Sequence, residues 1–266
     1  MEKTKDFKNI LYEVRDKAAF ITLNEPEKRN PLSKEVKQEL CQALEACGKD
    51  AAVRVVVIRG AGGHFSAGGN AQEKKAALEK GILLAPDTYE LGARLNLLVR
   101  QLPKPVIAVV EGAIAGSGLT LALSCDFQIV SETAKCSFAF VNLGIVPDCG
   151  TTLTVLRTLG VTRSNELMLS GKRFIGKQGA DWGLFTEAVL PEEIDQRLTE
   201  YLEKYTNGPT TAYANVKKVI NRIAYGNYLE YSKLEADCIA DCEKTQDYRT
   251  AVESFLRKEI PKFVGK

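Results

Sequence analysis

The chain has 266 residues, enough for one large domain or a core with a modest appendage and too many for a small disulfide-stapled scaffold. Hydrophobic residues make up 45% and charged residues 26%, fractions typical of soluble globular proteins, which disfavours both a wholly disordered chain and a membrane protein. The 36 basic and 34 acidic residues leave a net charge of +2 and are scattered along the chain, so nucleic-acid binding becomes a minor hypothesis.

No segment of the sequence predicts a membrane span or a secretion signal. The longest apolar stretch near the middle, Val106–Val110, is far shorter than the roughly 20 residues that a span needs. The first residues, MEKTKDFKN, lack the apolar core of a signal peptide, and we therefore expect a cytoplasmic protein. The seven cysteines form an odd set without CxxC spacing, which predicts reduced thiols and no metal site.

The first predicted element is a β-hairpin. Residues Ile10–Arg15 and 19–23 alternate apolar and polar side chains, as half-buried strands do. Asp16 and Lys17 lie between the two segments at the spacing of a tight turn. We expect this hairpin to form the start of a sheet.

A helix and a buried strand follow the hairpin. Ser33 can N-cap a helix that runs to about Cys47, because apolar residues recur at helical spacing between them. Residues 54–59 are rich in valine and isoleucine and lead into glycines at 60–63, a pattern typical of a buried strand that ends in a loop. The helix is therefore expected to pack on a sheet that contains this strand.

The arrangement of strand, glycine loop and helix recurs along the chain. Val106–Val110 is followed by Glu111 and Gly112, and a third, looser version occupies residues 138–159. The three segments share no obvious sequence repeat. Repetition of the arrangement alone predicts an α/β fold built as a spiral of ββα turns.

From residue 192 onward the pattern changes to helices alone. Apolar residues at helical spacing predict later helices over Thr210–Tyr225, 229–242 and 245–258. We therefore divide the chain into a core, residues 1–195, and an α-helical C-terminal region, residues 196–266. That region carries more aromatic and aliphatic side chains than a peripheral helix needs, which favours packing against another subunit.

Two glycine-rich loops follow predicted strands, at residues 62–70 and 111–120. Glycine lets backbone N–H groups approach a ligand closely. The second loop opens into an apolar helix at 119–125, whose N-terminus would stabilise an anion or a developing oxyanion over Ser117. Neither loop matches a dinucleotide-binding or phosphate-binding motif, and a glycine loop by itself is more often simply a turn.

Taken together, four motifs resemble the enoyl-CoA hydratase/isomerase (crotonase) superfamily over nearly the whole chain. They are residues 23–33 (LNEPEKRNPLS), 65–69 (FSAGG), 116–118 (GSG) and 143–148 (LGIVPD). The resemblance implies a crotonase-like spiral of ββα turns with a helical C-terminal region, a homotrimer or dimer of trimers, and an acyl-CoA thioester as substrate. It also implies that the core carries the acyl-CoA site and that the C-terminal region serves oligomerisation.

The resemblance further implies an oxyanion hole of two backbone N–H groups that hold the thioester oxygen. Matched to the motifs, these N–H groups belong to Gly69 and Ser117. Serine replaces the family's glycine at the second position, but a backbone donor does not depend on its side chain. Each such donor contributes about 2.7–4 kcal/mol of transition-state stabilisation.

Departures from the family pattern concern the acid and base groups. Thr120 and Phe140 occupy the positions of the two glutamates that hold water in the hydratases, and neither can act as a base. Asp148 stands where isomerases of the superfamily place their single acid/base carboxylate and where a dehalogenase relative places its nucleophile. The resemblance thus implies proton removal from C2 of a 3-enoyl-CoA and its return at C4, with the pKa of Asp148 raised by burial.

Bland alternatives stand beside each of these roles. Asp148 could instead N-cap the helix that begins near Gly150. Phe140 is expected to line the acyl pocket, and Thr120 to bond either the substrate or the helix backbone. The single histidine, at position 64, is expected to be a loop residue, and Cys149 a packing residue.

Contacts to the CoA moiety are also implied by the resemblance. The candidate substrate-binding residues lie in the two N-terminal motifs and in the last predicted helix, beside Thr120 and Phe140: Lys28, Arg29, Ser66, Ala67, Gly68, Asn70, Phe255 and Lys258. The alternative for the helix residues is a solvated charged surface. CoA is then part of the substrate, and we expect no separate cofactor and no metal.

Three functions are weighed on this sequence. We favour an enoyl-CoA isomerase, in fatty-acid or aromatic-acid degradation, with Asp148 as acid/base and Gly69 and Ser117 as oxyanion donors. A second hypothesis is a hydratase of an unusual cyclic or dienoyl CoA ester, or a decarboxylase or hydrolase on the same fold. The third is a non-catalytic acyl-CoA binding protein.

Overall fold

The computed structural model describes residues 3–4, 6–82 and 86–266. The strands of the described chain are β1 (Lys3–Thr4), β2 (Ile10–Arg15), β3 (Ala18–Leu23), β4 (Pro31–Leu32), β5 (Val55–Gly60), β6 (Gly68–Gly69), β7 (Val106–Val110), β8 (Ala113–Ala115), β9 (Phe127–Ser131), β10 (Lys135–Ser137), β11 (Arg173–Ile175) and β12 (Glu187–Val189). The α-helices are α1 (Lys34–Lys49), α2 (Ala71–Glu79), α3 (Pro86–Gln101), α4 (Ser117–Ser124), α5 (Thr151–Ser170), α6 (Gly176–Asp181), α7 (Ile194–Asn207), α8 (Thr210–Tyr225), α9 (Tyr228–Cys242) and α10 (Gln246–Arg257).

The predicted hairpin is confirmed. Strands β2 and β3 pair antiparallel with Arg15 opposite Ala18. Asp16 and Lys17 both have positive φ angles, 47° and 65°, as the tight turn of a right-twisted hairpin requires. The short strand β1 precedes the hairpin and pairs with β2 at the edge of the sheet, and the turn of the hairpin itself is determined by neighbouring residues.

The predicted cap of α1 is also confirmed. The Ser33 hydroxyl oxygen accepts a hydrogen bond from the Val36 N–H over 3.2 Å, which satisfies one of the free donors at the helix start. One face of the helix buries Leu40, Leu44 and Cys47 against the sheet.

Seven strands form the main sheet in the order β1-β2-β3-β5-β7-β9-β12, parallel from β3 onward. Alternate residues of each central strand enter different cores. Val56 and Ile58 of β5 face the side covered by α1, α3 and α4, whereas Val57 faces Ile194 and Leu198 of α7. The sheet is thus buried on both sides, which explains why its central strands are continuous apolar runs.

A second layer of short strands accompanies the main sheet. Strand β8 pairs parallel with β10, and Ser66 forms a parallel bridge with Ile114 of β8. Each turn of the chain therefore contributes one long strand and one short strand before its helices. This is the predicted ββα spiral: Gly69 ends the short strand of one turn, and Ser117 and Asp148 follow the short strands of the next two.

The C-terminal region is helical, as expected. Helix α8 has the predicted bounds, and α9 and α10 each agree with the prediction to within one residue at either end. The proposed border at residue 195 falls inside α7, whose Ile194 and Leu198 pack on the sheet. Tyr228 is buried within its own chain at 1% exposure, while Phe255 and Phe263 are 56% and 46% exposed.

No helix in the described parts of the chain is both long enough and apolar enough to cross a membrane. All seven cysteines are free thiols, and five of them are buried.

Candidate active site

A cavity of about 780 Å³ opens between the short-strand layer and the C-terminal helix. The loops after β6, β8 and β10 form one side, and α10 with residues 259–263 forms the other. Seven of the sequence-predicted site residues line it: Arg29, Ala67, Gly69, Ser117, Phe140, Asp148 and Phe255. The fold therefore brings together residues that are up to 226 positions apart in the sequence.

The two glycine loops touch backbone to backbone. The Ala115 N–H donates to the Ser66 carbonyl oxygen over 3.0 Å. A Cβ atom on Gly68 would lie 2.6 Å from the Ala115 carbonyl oxygen, and one on Gly118 would lie 2.6 Å from the Ser66 Cβ. Only glycine fits this approach, and it places Gly69 and Ser117 on the wall of the same cavity.

Ser117 is the first residue of α4, two positions earlier than predicted. The preceding Gly116 has φ 49° and ψ −127°, a conformation reserved for glycine. A helix's first N–H groups have no intrahelical acceptor and carry its partial positive charge, so the Ser117 N–H is available to an anionic oxygen in the cavity. The Ser117 hydroxyl is buried and has no hydrogen-bond partner among the described residues.

Asp148 lines the cavity with only 8% of its surface exposed. Its Oδ1 atom has no hydrogen-bond partner within the described chain. Burial raises the pKa of this carboxyl group, and the positive charges of Lys37 and Lys74 partly oppose the rise. A buried carboxylate with an unpartnered oxygen can accept a proton from a ligand.

The alternative role of Asp148, as the N-cap of the following helix, is wrong. Helix α5 is capped by Gly150 without a side-chain hydrogen bond from its own cap residue. Asp148 contributes only its backbone carbonyl, which accepts the Thr151 N–H over 3.0 Å. The carboxyl group is therefore left to face the cavity.

Glu235 on α9, missed by the sequence reasoning, satisfies the first N–H groups of α5 instead. Its carboxylate accepts the Gly150 N–H over 2.6 Å and the Thr152 N–H over 2.8 Å. Burial raises the pKa of Glu235 to about 7. Tyr228 adds a second anchor, because its hydroxyl donates to the Cys149 carbonyl oxygen.

The two hydratase-glutamate positions have different surroundings. Thr120 is fully buried and does not line the cavity; its hydroxyl bonds to the Thr151 hydroxyl and donates to the Gly116 carbonyl oxygen over 3.4 Å. Phe140 lines the cavity at 6% exposure, and its ring lies 3.8 Å from a Cβ position on Gly116. Thr120 thus bonds the helix, and Phe140 makes the cavity wall apolar.

The candidate CoA contacts divide into two groups. Arg29 and Ala67 line the cavity, as does Phe255 on α10. Lys28 is exposed and forms an ion pair with Glu25 over 2.7 Å, and Lys258 is the exposed C-terminal cap of α10.

The remaining candidates of the first loop have structural partners. The Ser66 hydroxyl is buried, donates to the Asn30 carbonyl oxygen over 2.7 Å and accepts from the Gly68 N–H over 3.1 Å. Asn70 N-caps α2 by accepting the Gln72 N–H over 3.0 Å. These side chains hold the loop in shape.

His64 and Cys149 also have structural surroundings. The His64 Nδ1 accepts the Ala113 N–H over 3.1 Å. Cys149 is 2% exposed, and burial raises the pKa of its thiol well above the usual value, which disfavours a reactive thiolate. Within the described residues, no group of three or more histidine, cysteine, aspartate or glutamate side chains could hold a metal ion.

Comparison with known proteins identifies the family of the chain. The family model described as enoyl-CoA hydratase/isomerase matches residues 13–266. The chain is 29% identical to a trans-2-decenoyl-[acyl-carrier-protein] isomerase of Streptococcus mutans, over 98% of this chain and 100% of the relative. It is 33% identical to a 1,2-epoxyphenylacetyl-CoA isomerase of Escherichia coli, over 97% of this chain and 98% of the relative.

Solved structures include a similar fold. An enoyl-CoA hydratase from Mycobacterium avium subsp. paratuberculosis superposes with a TM-score of 0.88 and 27% identity, covering 97% of this chain and all of that chain. The predicted crotonase-like fold is confirmed.

Proposed function

Because the chain belongs to the enoyl-CoA hydratase/isomerase family, we propose that it moves a double bond within an acyl-CoA thioester, from the 3-enoyl to the conjugated 2-enoyl position. One observation carries the proposal. Asp148 is buried, lines the cavity together with Gly69 and Ser117, and has an Oδ1 atom without a partner in the described chain. A buried carboxylate that lines the same cavity as two N–H donors suits a reaction that moves one proton.

In the proposed reaction the thioester oxygen accepts hydrogen bonds from the Gly69 and Ser117 N–H groups. Asp148 removes a proton from C2, and the electron pair of that C–H bond moves toward the thioester carbonyl to form a dienolate. The protonated Asp148 then gives the same proton to C4, and the dienolate electrons form the C2–C3 double bond. No atom is gained or lost, so the product has the mass of the substrate.

Hydration is disfavoured by the cavity wall. A hydratase must hold a water molecule beside the double bond, and Thr120 and Phe140 replace the two carboxylates that would do so. Thr120 is buried outside the cavity lining, where its hydroxyl is hydrogen-bonded to that of Thr151. Phe140 lines the cavity with an apolar ring. The unusual-ester hydratase, the decarboxylase or hydrolase and the binding protein therefore become outcomes of the test below.

The proposed carrier is CoA, with Arg29 at the cavity placed to meet its phosphates. The Streptococcus mutans relative is named for an acyl-carrier-protein thioester, so carrier-protein substrates belong in the same assay.

We also propose a homotrimer or dimer of trimers, with the C-terminal region as its interface. Exposed apolar residues on α8 support this interface: Val216, Val219, Ile220 and Ile223 are 54–76% exposed. Light scattering on the purified protein tests the oligomeric state.

The decisive experiment incubates the purified protein with a 3-enoyl-CoA and, separately, with a 2-enoyl-CoA. Mass spectrometry follows product mass, and ultraviolet absorbance follows conjugation. We expect the 3-enoyl ester to become a conjugated isomer of equal mass, and Asp148→Asn to lose this activity. A product heavier by one water would indicate a hydratase, free CoA together with the free acid would indicate a hydrolase, and tight binding without turnover would indicate a binding protein. A decarboxylase needs a carboxylated acyl-CoA, which is incubated separately and would lose the mass of CO₂.

A further inference from the structure

Lys74 brings a positive charge to the cavity wall and has no role in the reaction proposed above. Its side chain extends from α2 across the first oxyanion donor, with the Cε atom 3.6 Å from a Cβ position on Gly69. It lines the cavity, and its Nζ atom makes no hydrogen bond or ion pair within the residues described. Lys74 is half-buried, and partial burial of an ammonium favours a negative partner nearby, because its desolvation is costly.

The charges around Lys74 come from several elements. The carboxylates of Asp148 and Glu243 attract its ammonium, the nearby Cys149 thiol acts in the same direction, and Lys37 repels it. Burial lowers the pKa of Lys74.

Asp148 interacts with nearby charges of both signs. Lys37 and Lys74 favour its ionised form, whereas Glu235 disfavours a second negative charge nearby. Tyr89 faces the same cluster and donates its hydroxyl to Glu243 over 2.8 Å.

The two cations of this cluster occupy different places. Lys37 on α1 is 5% exposed, lies 3.5 Å from the Thr88 carbonyl oxygen and is absent from the cavity lining. Lys74 lines the cavity, as Gly69 and Asp148 do, and its side chain lies against Gly69. Lys37 therefore favours the ionised form of Asp148 from outside the cavity, whereas Lys74 can also contact a bound ligand.

We propose that Lys74 compensates the negative charge on both sides of the proton transfer, first on the Asp148 carboxylate and then on the dienolate oxygen above Gly69. This inference rests on the proposed isomerisation. When the C2 proton moves to Asp148, the negative charge moves from the carboxylate to the thioester oxygen. A cation placed near both positions stabilises the charge before and after the transfer without moving far.

The test compares Lys74→Met, which keeps the length and removes the charge, with Lys74→Arg, which keeps the charge. Lys75→Met is the matched control, because Lys75 is exposed on the same helix and its ion pair among the described residues is with Glu79, over 3.5 Å. We expect Lys74→Met to lower kcat/KM about tenfold or more, mainly through kcat. The acid limb of its pH profile should move to higher pH, because Asp148 loses a cation that favours its ionised form.

Lys74→Arg should restore most of kcat and the position of the acid limb, and Lys75→Met should match the parent protein. An unchanged acid limb with a higher KM would overturn the proposal and assign Lys74 to binding of the acyl group. Equal losses in Lys74→Met and Lys74→Arg would overturn it in favour of a role in packing.

A second readout does not depend on turnover. Carboxyl NMR of protein labelled with ¹³C-aspartate, with the Asp148 signal assigned by its loss in Asp148→Asn, follows the titration of Asp148 in the unliganded enzyme. We expect this titration to move to higher pH in Lys74→Met and to stay in place in Lys75→Met. If the parent protein isomerises nothing but the titration moves, the proposed function fails while the Lys74–Asp148 coupling stands; an unmoved titration overturns the coupling itself.

Discussion

The Glu235 carboxylate accepts a hydrogen bond from the Gly150 N–H over 2.6 Å, although 85 residues separate the two positions. Gly150 lies two residues after Asp148, so this bond ties the loop of the base to α9. The conformation of that loop needs support, because Cys149 and Gly150 both have positive φ angles, 56° and 78°. A residue outside the cavity thus fixes the backbone that aims Asp148 into it.

Removal of this tie should reduce stability and activity together. Glu235→Ala leaves the buried Gly150 N–H without its acceptor, at a cost of about 1–3 kcal/mol, and also removes the acceptor of the Thr152 N–H, which lies at an exposed residue. We expect a lower free energy of unfolding in urea and a lower kcat. Glu230→Ala on the same helix is the control, since the Glu230 carboxylate accepts an exposed hydrogen bond from the Asn227 side chain. Equal losses in both variants would contradict the role of Glu235.

Glu235 should also give stability a defined pH dependence. Its pKa is raised from 4.5 to about 7 in the folded protein, so the folded state binds more protons than the unfolded state between these values. The free energy of unfolding therefore falls as pH rises from about 4.5 to 7. Urea titrations across this range should show a shallower fall in Glu235→Gln, and an unchanged slope would contradict the assignment.

Asp148→Asn separates the chemistry from the fold. Loss of the only base proposed for the reaction should lower kcat by about 10²–10⁴, while CoA binding persists. Because burial raises the pKa of Asp148, its charge costs stability above the ordinary pKa of an aspartate, and the asparagine variant should be at least as stable as the parent at neutral pH. Calorimetry and single-turnover kinetics test both points, with Asp237→Asn on the surface of α9 as control.

Two substitutions at Ser117 distinguish its side chain from its backbone. Ser117→Gly removes a hydroxyl that has no partner within the described chain and should leave most of kcat. Ser117→Pro removes the N–H at the first position of α4, where proline is tolerated, and should lower kcat by about 10²–10³. Circular dichroism confirms that both variants fold; a loss in Ser117→Gly as large as that of Asp148→Asn would contradict the use of the backbone donor.

Arg29 should report which carrier the substrate uses. We expect Arg29→Met to raise KM for an acyl-CoA about tenfold with little change in kcat, because a charge-assisted hydrogen bond to phosphate is lost. The same acyl group on pantetheine, which lacks the nucleotide phosphates, should show no such change. Lys28→Met should have a smaller effect, since Lys28 pairs with Glu25 and lies outside the cavity lining. Equal KM changes with both carriers would remove Arg29 from CoA recognition.

The elements that the sequence predicted well depend on neighbouring residues. The hairpin follows from the turn at Asp16 and Lys17, and the start of α1 follows from the Ser33 cap. The C-terminal helices follow from apolar spacing within each helix. Local pattern and local hydrogen bonds are sufficient for such elements.

The features that the sequence did not predict depend on distant partners. Glu235 is an ordinary helical glutamate until the fold places it against α5. For Thr120 the sequence allowed a hydrogen bond either to the substrate or to the helix backbone. The structure adds a hydrogen bond to Thr151, which lies 31 residues away in the sequence. The position of Lys74 over Gly69 depends on how α2 lies against the cavity, which periodicity cannot specify. Tertiary contacts of this kind have no signature within a short window of sequence.

The strand order of the main sheet also has a consequence for the chain as it leaves the ribosome. From β2 to β12 every new long strand pairs beside the previous one, so a nascent chain can extend the sheet along a single edge. The residues that carry the Gly69 and Ser117 donors are synthesised first, and the loop of Asp148 follows in the next turn of the spiral. Glu235 is synthesised last of these, so the bond that fixes the backbone beside the base can form only after α9 has been made.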